Sequence, residues 1–392
     1  MTRTAATLAM LAAVALAPVS PASAQRSKPL VLESVGSFYV GGKMTEIDGR
    51  AAMAGHMYVE YMIPARKTQP YPIIMVHGGL RSGTNFTGTL DGKEGWAQQM
   101  VRRGYAVYIV DQVGRGRSGL YEKLYGPLRV SDAKGVMSRY VQQKKHALWP
   151  QAKLHTQWPG GDEMGDPSVL ALTASQLPEI ANFRRQQELN RDALVALIDK
   201  IGPSIILGHS MAGAFLWPVA DARPDKVKAI LGVEPNGPPA HRVDFVGAPE
   251  WFKYGPLALS YGVTDVPLTY APAVASASEL KFVQQDKPDA EGLIRCHLQA
   301  APARQLPNLK MPILVVMGEA SYHAPYDHCT VKYLEQAGAK ATFMRLGDLG
   351  IKGNSHVLML EKNSAEIAGA MAQWLAKAIP SQRPARRLGN RG

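Results

Sequence analysis

The chain has 392 residues, of which 46% are apolar and 19% charged; that is ordinary globular composition and excludes a disordered or fibrous protein. Its net charge is +12; a cleaved leader carrying Arg3 would leave +11, and setting aside Arg383, Arg386, Arg387 and Arg391 near the C-terminus leaves +7 for the body. No nucleic-acid module or basic stripe goes with that charge, so nucleic acid is excluded as a partner and the charge reads as a solvated surface, with weak attraction to an anionic envelope as the alternative.

Residues 1–24 read as an export signal. Arg3 supplies a positive start, Ala5 to Val19 is almost wholly apolar, and Ala22-Ser23-Ala24 offers small residues for cleavage before Gln25. The rival is a membrane anchor, but the apolar run of roughly 14 residues falls short of the ~20 that a spanning helix needs. The expected mature chain is therefore exported, periplasmic or secreted, with no integral membrane contact. In that oxidising setting Cys296 and Cys329 read either as one disulfide or as two unpaired buried thiols. No Cys/His spacing suggests a metal site, and no cofactor motif is present.

Val31 to Met62 alternates apolar and polar positions around Gly41-Gly42, suggesting an antiparallel entry to a sheet. Tyr71 to Val76 is continuously apolar, as a strand buried on both faces requires. It runs into His77-Gly78-Gly79-Leu80. A helix with Trp96 and Met100 on one face stops at Gly104, and a strand follows over Tyr105 to Val110, ending at Asp111. Residues 119–185 show no clear period and read as an insertion. Leu194, Leu197, Ile198 and Ile201 then mark a helix ended by Gly202-Pro203. Ser204 to Leu207 is a short strand leading into Gly208-His209-Ser210-Met211-Ala212-Gly213 and another helix. Lys228 to Val233 is a strand ending at Glu234. Residues 235–308 lack strand rhythm and carry Trp251, Phe252, Tyr254, Tyr261 and Tyr270, a cap in this reading. A strand over Ile313 to Met317, a helix over Thr330 to Ala337 and a last strand over Ala341 to Leu346 restore the alternation. The loop Gly353-Asn354-Ser355-His356 follows, and Ile367, Met371 and Trp374 stripe a final helix. Residues 381–392 form a basic tail expected to be disordered. Alternating strands and helices predict an α/β fold with a mostly parallel sheet.

The chemistry centres on Ser210. A serine between a buried strand and a helix occupies a sharp turn that exposes its hydroxyl, and the small Gly208 and Ala212 let strand and helix pass closely. Gly is usual at the second flank, so Ala212 departs from the pattern. The following helix N-terminus favours negative charge, so the Met211 N–H suits an oxyanion. The second donor belongs to the loop after Val76, at Gly79 with Leu80 as rival. A serine needs a base. His356, in the loop after the last strand, is the candidate. The orienting carboxylate has three candidates. Glu234 stands at the end of a strand 24 residues after Ser210. Asp327 sits where it could serve as a helix cap, and Glu319 lies in the loop after Met317, where no Asp occurs.

Val110-Asp111-Gln112-Val113-Gly114-Arg115-Gly116-Arg117-Ser118, Gly208-His209-Ser210, Glu234-Pro235 and Gly353-Asn354-Ser355-His356 together resemble α/β-hydrolases. More narrowly they are similar to secreted microbial esterases whose triad acid is a Glu after the sixth strand. The resemblance implies the α/β-hydrolase fold over about residues 35–378, with cap insertions. It implies Ser210, His356 and Glu234 as triad and Gly79 and Met211 as oxyanion hole. Some relatives carry adjacent cysteines after His-Gly, where this chain has Gly79-Leu80. The expected activity is carboxylic-ester hydrolysis through an acyl-enzyme, on a small-molecule or polymeric ester. The same triad would serve a lactone, polyester or C–C bond hydrolase or an acyltransferase, and a non-catalytic binding protein on this scaffold is the reading from another class. The cap aromatics point either to an apolar or aromatic ester or simply to the cap's own core.

Overall fold

The continuous apolar runs become the inner strands of one eight-stranded sheet. The computed structural model describes residues 28–379; the export signal at 1–24, its cleavage point and the basic tail at 381–392 lie outside the described residues. The strands are β1 (Leu32–Ile47), β2 (Arg50–Pro64), β3 (Ile73–Val76), β4 (Val107–Asp111), β5 (Ser204–His209), β6 (Val227–Val233), β7 (Ile313–Met317) and β8 (Ala341–Arg345). Their order is β1-β2-β4-β3-β5-β6-β7-β8. β1 and β2 form an antiparallel hairpin and β2 meets β4 antiparallel, while every later pairing is parallel.

β3, β5 and β7 are buried at every position. Alternate residues feed two cores, one on each face. Ile74, Val76, Ile206 and Val315 pack with Leu194, Leu197 and Ile198 of α2 (Phe183–Ile201) and with Phe215 and Trp217 of α3 (Gly213–Ala222). Ile73, Met75, Leu207 and Val316 pack with Trp96 and Met100 of α1 (Trp96–Arg102) and with Ile367 and Met371 of α4 (Ser364–Ala378). Each such side chain contributes about 1.5–3 kcal/mol on burial, so the sheet is a rigid base for whatever its strand ends carry. β3 begins two residues later than its apolar run, since Pro72 has no N–H to give a ladder.

The irregular segments are more ordered than their composition suggests. Residues 119–185 hold short helices, among them Pro167–Ala174, and a two-residue pairing of Leu128–Arg129 with Glu179–Ile180. Residues 235–308, which lack strand rhythm in the sequence, nevertheless hold paired strands. His241–Gly247 pairs with Trp251–Leu257, and Phe282–Gln284 with His297–Gln299. These ribbons are short and partly exposed, so they carry no long alternating pattern. A Cys296–Cys329 disulfide, with Cα atoms 5.3 Å apart, ties this segment to the Asp327–Gln336 helix. Among the described residues no helix is long and apolar enough to cross a membrane.

Candidate active site

β5 delivers Ser210 into the turn before α3 with φ +54, the left-handed region that a non-glycine residue occupies at a cost of about 1–3 kcal/mol. The surroundings hold it there. Asn236 N donates to the Ser210 carbonyl at 2.8 Å. A Cβ on Gly208 would meet Leu216, and one on Gly213 would lie 2.5 Å from Asn236 N and Pro235 Cα. The tight backbone crossing therefore falls at Gly213, and Ala212 fits, fully buried, in the position where Gly is usual.

β6 ends by turning Glu234 to φ +46 while its N–H still donates to Val316 O at 2.8 Å. Its buried carboxylate accepts from Gly318 N at 2.7 Å, Ser321 Oγ at 2.6 Å and His356 Nδ1 at 2.5 Å. Burial pushes the Glu234 pKa up to about 8, against the pull of His323 and those loop donors. His356 is pushed well below its ordinary value by burial, with His209, His323, Arg81 and Arg139 adding to the effect. The other two carboxylates are engaged elsewhere. Asp327 Oδ1 meets His323 Nδ1 at 2.8 Å, and it is not a cap, since Tyr326 holds that position. Glu319 Oε2 accepts from Gly353 N at 2.9 Å.

The loop after β3 is braced from both sides. Arg115 donates to Gly78 O at 2.9 Å and pairs with Glu179 at 2.6 Å, both side chains buried. Leu80 N–H donates to the same Glu179 carboxylate at 2.6 Å. The Leu80 N–H, the rival oxyanion donor, is thereby committed to Glu179. A Cβ on Gly79 would come within 2.9 Å of Met211 Cε, so the loop and the serine turn are in contact.

Several residues that sequence reasoning missed hold these groups in place. His209 Nε2 bonds the His356 carbonyl at 2.9 Å, and burial lowers the His209 pKa to about 3, so the ring is a neutral donor. The His209, His323 and Tyr322 rings stand 4.5, 4.6 and 4.5 Å from His356. The Tyr322 hydroxyl reaches the Ser210 side chain. Glu361 accepts from His155 Nε2 at 2.8 Å, Asn354 Nδ2 at 2.8 Å and Ser355 N at 3.0 Å, joining the 119–185 segment to the His356 loop. The one sequence signal available was Glu361 closing the apolar run that starts at Val357. His155 gave none.

Ser210 opens into a cavity of about 510 Å³ walled by Trp149, Phe245, Tyr322 and Tyr326, with Arg129, Arg139 and Arg242 also in its lining. None of the five cap aromatics picked from the sequence lines it. Phe252 and Tyr254 pack around the disulfide, and Tyr261 and Tyr270 belong to the main core.

A strained serine after the fifth strand, a histidine after the eighth and this strand order define one class of protein. The alpha/beta hydrolase family model matches residues 73–370, and the chain belongs to that family. It is 41% identical over 342 residues to "Probable secreted lipase phiG" of Fungal sp. (strain ATCC 74256), covering 87% of this chain and 89% of that one. The solved structure of a novel bacterial esterase shares the fold, with a TM-score of 0.60 at 21% identity over 91% of this chain and 99% of that chain.

Proposed function

We propose that this chain is an exported carboxylic-ester hydrolase working through an acyl-enzyme on Ser210. The observation that carries the reading is the Glu234–His356 contact of 2.5 Å beside a serine in a left-handed turn. Glu234 holds His356 Nδ1, which leaves Nε2 to take the Ser210 proton as Oγ attacks the ester carbonyl. The carbonyl oxygen becomes an oxyanion facing the N–H groups of Gly79 and Met211, each donor contributing about 2.7–4 kcal/mol to the transition state. His356 then protonates the departing alcohol, and water reverses the sequence to release the acid. The ester-hydrolase class is supported by the family and by the lipase and esterase names of its relatives. Export is supported by residues 1–24 and by the word "secreted" in the relative's name. Ser210→Ala assayed on short p-nitrophenyl esters tests the mechanism, and unchanged turnover would overturn it. N-terminal sequencing of protein recovered outside the cytoplasm tests export, with Gln25 the expected first residue.

A further inference from the structure

Charge around the Ser210 cavity is unbalanced. Asp244 is the single carboxylate among the lining residues, and Arg242 holds it at 2.6 Å. Arg129 pairs with Glu179, but that carboxylate is already shared with the buried Arg115. Arg139 has no carboxylate partner among the described residues. Its guanidinium lies 5.7 Å from the Tyr322 ring centroid, and the hydroxyl of that ring reaches Ser210. Arg115, Arg129, Arg139 and Arg242 thus face two carboxylates, Glu179 and Asp244. Glu234 and Asp327 are held by His356 and His323 and are not among the lining residues.

Arg139 is exposed and keeps its solvation, so it is free to pair with an anion that enters the cavity it shares with Ser210. It suits a substrate that brings the missing charge, because guanidinium and carboxylate make the stronger, charge-assisted hydrogen bonds. We propose that this site selects esters that carry a carboxylate, such as half-esters of dicarboxylic acids, with Arg139 binding the anionic end while the ester carbonyl lies at Ser210. The aromatic wall of Trp149, Phe245 and Tyr326 covers the carbon chain between the two ends. The inference rests on the ester-hydrolase reading above and adds its substrate class.

The test pairs each anionic ester with its neutral twin: monomethyl against dimethyl glutarate, and 4-acetoxybutanoate against its methyl ester. These two pairs place the carboxylate on the acyl and the alcohol side respectively. At low salt and pH 8 we expect kcat/KM for at least one anionic member to exceed that of its twin by about tenfold. That ratio should fall about tenfold in Arg139→Gln, mainly through KM, and shrink in the native enzyme as salt rises. Arg184→Gln, on the exposed face of α2, should leave the ratio unchanged. Calorimetric titration of the native enzyme with glutarate reads binding without turnover, and Arg139→Gln should weaken it about tenfold. Ratios at or below one in both pairs, or a ratio and a glutarate affinity that Arg139→Gln leaves unchanged, would overturn the proposal. Hydrolysis that persists in Ser210→Ala would instead overturn the ester mechanism, so the two failures are separable.

Discussion

Glu361 makes no contact with the reacting groups, yet its removal should disable the enzyme. Its side chain is fully buried and receives His155 Nε2, Asn354 Nδ2 and Ser355 N. In Glu361→Ala, Asn354 Nδ2 keeps Asn363 Oδ1 at 2.6 Å, whereas Ser355 N–H and His155 lose the partners named here. Each orphaned buried donor costs about 1–3 kcal/mol, and the vacated space adds to that. Escape from burying a carboxylate offsets part, so the net loss should be about 3–5 kcal/mol, the usual result of breaking a buried pair. Ser355 precedes His356 directly, so the same change loosens the base, and a displacement of about 1 Å costs on the order of 100-fold in rate. Urea unfolding and kcat/KM on a short p-nitrophenyl ester measure the two effects. His155→Ala removes one donor and leaves the loop contacts standing, so it should destabilise with a smaller loss of rate. Stability within ~1 kcal/mol of the native chain and near-native rate in Glu361→Ala would refute this reasoning.

Glu234→Ala should lower kcat by about 10³–10⁴, the scale of losing the histidine's orienting acid, while Asp327→Ala should stay within about tenfold; the reverse ranking would reassign the acid. Arg139 is one of the cations that hold His356 below its ordinary pKa. Removing it favours the imidazolium, so Arg139→Gln should move the acid limb of the kcat/KM profile on a neutral ester upward; a limb that stays or moves down contradicts the assigned field. Replacing Cys296 and Cys329 by Ser reopens a loop with a sequence separation of 33, and chain entropy puts the loss at about 3–4 kcal/mol, read by urea unfolding of the double variant against the native chain under non-reducing conditions.

The strands and the elements that carry Ser210, Glu234 and His356 were legible because each rests on a local rule. A continuous apolar run such as Ile73–Val76 reports burial on both faces, and Gly208-His209-Ser210 reports a turn directly after such a run. Ala212 shows the limit of that rule. The close approach it was meant to permit occurs at Gly213, because Pro235 and Asn236 cross there from the next strand's end. Which of two neighbouring small residues must lack a Cβ depends on what lies opposite, and no local pattern carries that.

The bracing residues were illegible for the same reason at greater range. Glu361 and His155 are 206 positions apart, and each alone looks like an isolated polar residue in an irregular stretch. The cavity shows the point most clearly. Arg129 and Arg139 come from one irregular segment and Arg242 from another, and each is unremarkable in a chain with net charge +12. Net charge averages over the whole surface and hides which cations lack partners. Specificity depends on that difference: Arg242 and Arg129 have carboxylates within reach, Arg139 has none among the described residues, and only Arg139 keeps its full attraction for an incoming anion. Motif reading therefore recovers where bond breaking is expected to occur, while the choice of substrate is written in pairings that exist only after the two irregular segments have met over the strand ends.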